Sequence, residues 1–526
     1  MNIMTLFDRD SGKEVLVHVS NMDSFQTRTH NEVMKNVNNL SSALRILGME
    51  KDDKILILSG NIIETIECIL SAFSTGIVAV PVSPNSGVNL IKEIIVNMEP
   101  KCCVFDMPLS QELRKALEAT CKLYISVNPD NCMGQNCHSY NELLKGDFPQ
   151  IKFDDFDPDQ IALVIHSSGS TGVPKAIYRT HENLFNFIKY NNELFSQYYD
   201  EDQIEKEKTS GALISTLPLS HLSALGYCFQ GLFAGVPVYL LSHFEPRLYL
   251  KLMLRIRCNL LILVPSMYEL LLKEKSFFEN NDYSFVKFCL YTGDACSDRM
   301  IEKIERTFKA ISASAYGLTE CLTGIGHSRG DLVQGKVKKG SCGTQLFGEC
   351  LLVDEKGNTG VDLGELWIKN PTIPKRYLNG ELNEAKVEGG WFKTGDLLFR
   401  DPDGHFFYKG RRDDMFICNG NNIYPAEIER MLINHPLVES VCAVPIKDMK
   451  EKTVPAVMIK QKTLMTEIKE TEIINFSIKN GPAYAIPQFV KFAENFPLIG
   501  PGKVNRPEIT RILQHAYDNR GKASLF

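Results

Sequence analysis

The chain has 526 residues, 44% of them hydrophobic, which is enough for two or more domains with sizeable cores. Charged residues make up 23% of the sequence and leave a formal net charge of −6, so no overall positive field favours nucleic acids. No apolar run approaches the ~20 residues of a membrane span, and we expect a protein without a transmembrane segment.

Fifteen cysteines are scattered along the sequence, and their odd number does not suggest a complete set of disulfides. The residues that follow Met1 lack a basic region ahead of an apolar one, so no secretory signal is expected. We therefore predict reduced thiols in a cytoplasmic protein. Cys132, Cys137 and His138 lie close together, but no second ligand pair follows at a suitable spacing, and no metal site is expected there.

Helical and strand patterns alternate through the first part of the chain. The predicted helices cover 32–47, 62–73 and 90–98, and the predicted strands cover 54–58, 77–82 and 102–105. Such alternation is typical of a mainly parallel sheet with helices on both faces. The stretch 111–156 is more polar and is expected to be irregular.

A loop rich in glycine and hydroxyl groups follows the apolar run 161–165. Its residues are Ser167, Ser168, Gly169, Ser170, Thr171, Gly172, Val173, Pro174 and Lys175. Glycines let the backbone bring its N–H groups close to a phosphate, and the hydroxyls and the lysine add donors, so the composition is that of an anion cradle. It is not a Walker loop, because Pro174 and Ala176 flank the lysine. A flexible surface loop is the alternative, and helical sequence is expected from about Thr180.

The alternation resumes after this loop with a similar rhythm, so two similar α/β lobes are expected. The predicted strands cover 212–217, 236–241, 260–264, 288–291 and 311–315, and the predicted helices cover 221–234, 247–256, 267–273 and 298–308. From about Gly340 the pattern changes to short strands at 349–354, 365–369, 391–400 and 405–409. These indicate a small β-rich lobe, which a charged junction at 410–414 separates from a final α+β unit.

Polar residues follow two strands of the second run. His221 starts a helix, where it either lines a pocket or packs as an ordinary capping residue. Tyr316 offers a flat face for a base, Thr319 a hydroxyl for a phosphate, and Glu320 a hard oxygen for Mg²⁺. Because open α/β sheets bind ligands at the carboxyl ends of their strands, these residues and the glycine-rich loop are expected at one edge.

Three more candidates lie further along the chain. Asp396 follows a glycine in a turn and can accept two hydrogen bonds from a ribose diol, although an acidic turn residue often has no ligand. Arg411 belongs to the charged junction. Lys503 lies in a Gly/Pro-rich loop, where a solvated surface lysine is the ordinary alternative.

In order and spacing, these segments resemble the core motifs of the adenylate-forming superfamily, which includes acyl-CoA synthetases, adenylation domains of nonribosomal peptide synthetases and firefly luciferase. The resemblance covers the chain from about Glu32 to Pro507. It implies a phosphate loop at 167–175 and contacts to adenine and Mg²⁺ at 316–320. Further residues of the implied ATP site are Gly293, Asp294, Ala295 and Gly317.

The resemblance also implies ribose contacts by Asp396 and Arg411, a hinge at Asp413 and a catalytic lysine at Lys503. The implied fold is a large N-terminal domain over 1–410, with two α/β lobes and a β-rich lobe, followed by a small mobile α+β domain over 411–526. Two departures from the family pattern, Ala176 and His166, remove no phosphate donor.

The implied reaction has two steps, in which ATP and a carboxylic acid form an acyl-adenylate and a thiol then takes the acyl group. Lys503, Thr171, Glu320 and His221 are the implied catalytic residues, with Mg²⁺ on Glu320. Residues 417–429 are more similar to CoA ligases than to peptide-synthetase domains, and Gly420 would let the pantetheine arm of CoA pass. Two alternatives stay open: a stand-alone enzyme that loads an acyl-carrier protein, and a catalytically silent nucleotide-binding protein.

The acid is expected to be fatty, branched or aromatic. Residues 221–227 contain no acidic side chain of the kind that binds the ammonium group of an α-amino acid. The predicted acyl pocket is mostly apolar and draws on His221, Ser223, Ala224, Val264, Met267 and the segment 291–295.

Overall fold

The computed structural model contains a large α/β region, a β-rich lobe and a C-terminal α+β unit. It describes residues 2–7, 11–132, 134, 136–146, 157–167, 175–196, 210–293, 296, 298–320, 322, 324–374, 376–377, 387–462, 468–498 and 504–523. Among these residues, no helix combines the length and the apolar character that a bilayer crossing requires.

The first sheet has eight strands. In spatial order they are Arg376–Tyr377, Lys175–Thr180, Ile161–Ser167, Val78–Val82, Lys54–Leu58, Cys102–Phe105, Leu123–Ser126 and Cys137–Ser139. The six strands from Ile161–Ser167 to Cys137–Ser139 run parallel, whereas the two at the other edge pair antiparallel. Alternate side chains point to opposite faces, so Ile55 and Ile57 join one core while Leu56 and Leu58 join another.

The stretch 111–156, expected to be irregular, contains regular elements, and this expectation is wrong. They are the helices Gln111–Glu118 and Tyr140–Leu143, the strands Leu123–Ser126 and Cys137–Ser139, and the 3₁₀ turn Pro129–Asn131. Elements this short show too few residues for a clear periodicity. The Tyr140 hydroxyl donates to the buried Glu67 carboxylate, which ties this stretch to the core.

The thiols are not all reduced in the structure, which corrects a second expectation. Cys132 and Cys137 form a disulfide, with their Cα atoms 5.6 Å apart. Cys132 directly follows the 3₁₀ turn Pro129–Asn131, and Cys137 begins the edge strand Cys137–Ser139. Most of the other cysteines that the structure describes are buried.

The second lobe contains two small sheets. One has the strand order Leu213–Ser215, Val238–Leu241, Glu14–Asn21 and Ser24–Thr29, and the other consists of Leu260–Leu263, Phe288–Thr292 and Ile311–Ala315. A parallel bridge between Ser210 and Cys258 lies just ahead of one strand from each sheet. The hairpin of Glu14–Asn21 and Ser24–Thr29 was not predicted, and the lobe is therefore not one continuous stretch of sequence.

A layer of helices fills the space between the sheets of the two lobes. It contains Ile63–Thr75, His181–Phe195 and Leu222–Ala234, together with His30–Ile46 and the 3₁₀ turn Ile3–Leu6. Every residue of Ile63–Thr75 is buried, as a helix between two sheets requires. A glycine permits one close approach here, because a Cβ at Gly231 would lie 2.3 Å from Cγ2 of Val238.

Helices also cover the two outer faces. Val88–Met98 and Gln111–Glu118 cover the first sheet, and Pro246–Ile256, Pro265–Lys273, Lys275–Asn280 and Asp298–Phe308 cover the second lobe. The resulting order of layers is helix, sheet, helix, sheet, helix. In such an arrangement the parallel strands present their carboxyl ends to a shared edge.

The β-rich lobe follows. Its main sheet contains Glu349–Val353, Leu363–Lys369, Trp391–Arg400, Val387–Glu388 and Phe406–Arg411. The short pair Ile325–Gly326 and Thr344–Gln345 and the helix Arg329–Val333 connect it to the second lobe.

The last part of the chain is a small α+β unit. Its strands are Phe416–Cys418, Asn421–Ile423, Val438–Lys447, Thr453–Gln461 and Phe489–Phe492, and its helices are Pro425–Leu432, Glu470–Asn480 and Arg506–Ala523, with a 3₁₀ turn at Ala483–Ala485. Among the contacts that join it to the rest, Nδ2 of Asn422 donates to Glu355, Nη1 of Arg299 donates to the Pro436 carbonyl, and Nη2 of Arg430 donates to the Tyr408 carbonyl. The predicted fold class, a large α/β region with a β-rich lobe and a small α+β unit, is confirmed.

Candidate active site

The glycine-rich loop connects two antiparallel strands of the first sheet. Ser167 at the end of one strand pairs with Lys175 at the start of the next. The predicted phosphate donors Ser168, Gly169, Ser170, Thr171 and Gly172 lie outside the described residues. The expected helix begins at His181, where Thr180 forms a capping box with Asn183.

The strand Lys175–Thr180 between the loop and that helix was not predicted. His166, one residue ahead of the loop, lies in the first strand of this hairpin and pairs with Ala176, and burial lowers its pKa to about 4. A neutral imidazole therefore occupies this position at physiological pH.

Three residues predicted to contact the nucleotide come together between the second lobe and the β-rich lobe. The Tyr316 hydroxyl donates to Oδ2 of Asp396 over 2.7 Å, and Nε of Arg411 lies 3.2 Å from Oδ1. Asp396 and Arg411 are direct cross-strand partners in the sheet of the β-rich lobe. Only 3% of Asp396 is exposed, so its carboxylate has strong, weakly screened interactions with both neighbours.

This environment fixes the protonation states. Burial and the charge of Asp396 raise the pKa of Tyr316 well above its ordinary value, so the phenol stays a neutral donor. Burial opposes the charge on Arg411, but the surrounding negative groups, of which Asp396 contributes most, together outweigh burial and raise the pKa of the guanidinium. At neutral pH the cluster is a carboxylate between one neutral donor and one cation.

Backbone and side-chain contacts hold Asp396 in place. Oγ1 of Thr394 donates to the Leu366 carbonyl over 2.7 Å and accepts from the Asp396 N–H at 3.0 Å. The Gly395 N–H donates to Glu365, whose other oxygen accepts from Nη1 of Arg412 at 2.8 Å. Gly395 lies within the strand Trp391–Arg400, where its pairing with Leu363–Lys369 is irregular, and not in the expected turn. Its φ of +74° is a conformation that favours glycine.

Glu320 and Thr319 follow Tyr316 on the segment that leaves the strand Ile311–Ala315. Glu320 is partly exposed, and its negative charge is among those that raise the pKa of Arg411, which places it near the cluster. In the described part of the chain, no group of three potential metal ligands gathers. One carboxylate nevertheless fits Mg²⁺, which proteins commonly hold with one or two carboxylates plus the phosphates of a substrate.

His221 lies at the N-cap of the helix Leu222–Ala234, after a turn that Asn61 fastens to the first lobe. Nδ2 of Asn61 donates to the Leu217 and Leu241 carbonyls at 3.0 and 3.1 Å, and Oδ1 accepts from the Leu219 N–H at 2.9 Å. Burial lowers the pKa of His221, so its ring is neutral. Sequence reasoning missed Asn61, although a polar residue shortly after the buried strand Lys54–Leu58 is a signal for this edge.

Several predicted acyl-pocket residues are neighbours. A Cβ at Gly293 would lie 3.5 Å from Cγ1 of Val264, and Oγ1 of Thr216 donates to the sulfur of Met267 over 3.6 Å. Thr216 was not predicted. Asp294 and Ala295, predicted for the ATP site, lie outside the described residues.

Ser223 and Ala224 face different surroundings. Ser223 is exposed, whereas Ala224 is fully buried in the helix layer. Adjacent residues of a helix point in different directions, so both cannot line the same wall of a pocket.

The predicted hinge residue, Asp413, and the predicted thiol-tunnel residue, Gly420, both lie in turns. Asp413 is exposed within a turn in which the Met415 N–H donates to the Arg412 carbonyl. Gly420 is at the exposed tip of the hairpin Phe416–Ile423, with a φ of +79°, and a Cβ there would meet no atom within 4 Å.

Lys503, the predicted catalytic lysine, lies outside the described residues, but both of its flanks are described. Leu498 and Val504 form an antiparallel bridge, and the Asn505 N–H donates to the Pro497 carbonyl over 2.8 Å. Arg506, just beyond, donates to both carboxylate oxygens of Glu429. The base of the lysine loop is therefore firmly attached to the C-terminal unit.

Comparison with known proteins gives a consistent result. A family model for AMP-binding enzymes matches residues 7–378, and one for the C-terminal domain of AMP-binding enzymes matches 427–503. A probable CoA ligase from Humulus lupulus is 26% identical over 507 residues, which are 92% of this chain and 88% of the relative. A peroxisomal OPC-8:0-CoA ligase from Arabidopsis thaliana is 27% identical over 501 residues, with coverages of 93% and 89%.

The fold is also shared with solved structures. An o-succinylbenzoate CoA synthetase from Bacillus subtilis, in complex with an acyl-adenylate intermediate, superposes with a TM-score of 0.78 at 23% identity, over 96% of this chain and 97% of that one. The resemblance deduced from the motifs is thus confirmed. The chain belongs to the AMP-binding enzymes, the adenylate-forming superfamily of acid–thiol ligases that use ATP.

Proposed function

We propose that this protein activates an apolar carboxylic acid with ATP and transfers the acyl group to coenzyme A. The observation that carries the proposal is the cluster of Tyr316, Asp396 and Arg411, whose buried carboxylate lies between a neutral donor and a cation. Such a carboxylate can accept hydrogen bonds from a ribose diol, and the ring of Tyr316 can pack on the base. We assign the binding of the adenosine part of ATP to this cluster.

The phosphates of ATP would extend from this cluster toward the glycine-rich loop. Ser167 and Lys175 close the base of that loop, where we place the β- and γ-phosphates. Bound at Glu320, Mg²⁺ would neutralise part of the phosphate charge. We assign Lys503 to the α-phosphate, where attack by one anion on another builds negative charge that a cation stabilises.

The acyl group would lie near Val264, Met267, Thr216 and Gly293. This wall is apolar apart from the Thr216 hydroxyl, which already donates to Met267. Since His221 is neutral, it provides no charge to attract or repel the acid. We therefore propose a fatty, branched or aromatic acid as the substrate class and exclude α-amino acids.

We propose that the unit after the charged junction, 411–526, moves between the two half-reactions. The proposed boundary after residue 410 falls between the two regions matched by the family models, 7–378 and 427–503. Coenzyme A is the proposed thiol, in keeping with the CoA ligases among the relatives, and Gly420 is proposed to border its pantetheine arm. We place the protein in the cytoplasm.

A panel of carboxylic acids tests this function by ATP–pyrophosphate exchange, followed by addition of free CoA or of an acyl-carrier protein. We expect exchange with apolar acids, no exchange with α-amino acids, and thioester formation with CoA. Transfer of the acyl group to the carrier protein alone would show that the acceptor is the carrier protein and not CoA. Absence of exchange with every acid, while nucleotide still binds, would overturn the enzymatic proposal.

Replacement of Asp413 with proline is expected to spare adenylation and to lower thioester formation by about ten-fold. Proline fixes φ near −65° and restricts the residue before it, so the exposed turn at 412–415 would lose rotational freedom. The two half-reactions are measured separately with the same acid. Asp413→Ala is the matched control and should keep both, and an unchanged overall turnover in Asp413→Pro would contradict the hinge assignment.

A further inference from the structure

Arg179 is a cation with no exposed surface in the strand that follows the glycine-rich loop. An arginine buried this completely is costly unless its donors find acceptors. The sequence singled out the loop before it but not this residue.

Its guanidinium bridges two distant parts of the chain. Nη1 donates to the Thr372 carbonyl over 2.6 Å, and Nη2 donates to the Thr319 carbonyl over 2.5 Å. Thr319 directly precedes Glu320, the proposed Mg²⁺ residue. Arg179 therefore connects the strand of the phosphate loop to the segment that follows Tyr316.

The same network reaches the other end of that segment. Oγ1 of Thr372 accepts from the Leu322 N–H at 3.1 Å, and Nδ2 of Asn370 donates to the Leu322 carbonyl at 2.8 Å. Oγ1 of Thr372 also donates to Asn370 over 2.6 Å. We call Arg179, Asn370 and Thr372 the clamp, because together they hold the backbone on both sides of Glu320.

A second contact ties the clamp to the helix layer. Nδ2 of Asn183 donates to the Pro371 and Ile373 carbonyls at 3.2 and 3.0 Å, on either side of Thr372. Asn183 is the residue that closes the capping box of the helix after the phosphate-loop hairpin. The turn 370–373 is thus fixed to the hairpin through both the strand and the helix.

We propose that Arg179 is a positioning residue for adenylate formation, which holds Thr319 and the adjacent Glu320 against the strand Lys175–Thr180 that follows the phosphate loop. The planar guanidinium suits this role because its fork can donate to two carbonyls at once, whereas a lysine ammonium acts as a point charge. The inference rests on the proposed function, since it assigns the phosphates to the loop and Mg²⁺ to Glu320. Arg179 itself touches neither the acid nor the reacting atoms.

The test compares Arg179→Met, Arg179→Lys and Thr372→Val with the parent enzyme in the full-length chain. For Arg179→Met we expect adenylation to fall by about 10–30-fold, because small displacements of positioned groups are costly, while transfer from preformed acyl-adenylate to CoA stays within about two-fold. The Mg²⁺ concentration for half-maximal exchange should rise, and ATP binding by titration calorimetry should weaken. Arg179→Lys should recover part of the loss.

Thr372→Val keeps Arg179 and removes the hydroxyl that bonds the Leu322 N–H and Asn370, so it keeps the proposal testable if Arg179→Met folds poorly. It should show the same selective loss of adenylation to a smaller degree. Arg306→Met, on an exposed helical position, is the matched control and should leave both half-reactions unchanged.

A loss shared equally by both half-reactions in folded Arg179→Met and Thr372→Val, or no loss at all, would overturn the positioning role. If the parent enzyme catalyses no exchange, the proposed function fails. The clamp is then tested by ATP affinity alone, and an unchanged affinity in Arg179→Met and Thr372→Val would refute the positioning role.

Discussion

Lys503→Ala is expected to slow adenylate formation by at least about 100-fold, while transfer of the acyl group from preformed adenylate to CoA stays within about two-fold of the parent rate. The reason is electrostatic: the attack of a carboxylate on the α-phosphate concentrates negative charge, and loss of a single preorganised donor at such a centre costs roughly 10²–10³ in rate. In the second step the thiol loses its proton and attacks the acyl carbon, and AMP leaves with the electron pair of the broken acyl C–O bond. The reacting centre is then the carbonyl carbon and not the phosphorus, so we expect this step to depend little on the lysine. ATP–pyrophosphate exchange measures the first step, and thioester formation from supplied acyl-adenylate measures the second.

The structure supports a local effect of this substitution. The loop that carries Lys503 closes on the bridge between Leu498 and Val504, which does not depend on the lysine side chain. Lys479→Ala removes an exposed lysine from the last turn of another helix in the same unit and is the matched control. An equal fall in the rates of both half-reactions in Lys503→Ala would show that the assignment of this lysine to the first step is wrong.

Asp396→Asn is expected to lower kcat/KM for ATP on the order of 100-fold, through a higher KM as well as a lower kcat. The substitution keeps the shape but removes the charge, so Arg411 loses its close ion pair. The neutral amide is also a weaker acceptor for the ribose diol: hydrogen bonds to charged groups contribute about 1.5–3 kcal/mol, and a 100-fold loss corresponds to roughly 3 kcal/mol. Steady-state kinetics with varied ATP measures the effect, and a melting curve shows whether the fold is kept.

Two further variants serve as comparisons for Asp396→Asn. Asp403→Asn alters a mostly exposed aspartate in the same lobe and should leave the ATP kinetics unchanged. Tyr316→Phe removes one hydrogen bond but no charge, and it should lose less than Asp396→Asn. If Asp396→Asn changed only the kinetics of the acid and left those of ATP alone, the ribose assignment would be wrong.

The sequence predicted those features that have a local signal. The helix Leu222–Ala234 and the strand Ile311–Ala315 lie where the apolar spacing placed them. Tyr316 directly follows the strand Ile311–Ala315, and Asp396 lies within the strand Trp391–Arg400; both strands lie at predicted positions, and the two side chains are in contact. The fold class followed from the same alternation.

Other features had no local signal. The strand Lys175–Thr180 is too short and mixed to be separated from the helix after it. Arg179 finds its carbonyl acceptor on Thr319, 140 positions away, so its role depends on tertiary structure alone. The role of Asn61 likewise depends on its hydrogen bonds to the carbonyl groups of Leu217 and Leu241, which are far away in the sequence. Long-range polar contacts of this kind leave no periodic trace in a sequence.

The N-terminal hairpin has a consequence for biosynthesis. Its strand Glu14–Asn21 pairs with Val238–Leu241, whereas the helix His30–Ile46 that follows it packs on Ile63–Thr75 beside the other lobe. On the ribosome, this strand emerges long before Val238–Leu241. The edge that pairs with Val238–Leu241 therefore stays unpaired while the intervening chain is made. The two α/β lobes are therefore interlocked from the first residues onward, and neither corresponds to a segment that can be excised and produced alone.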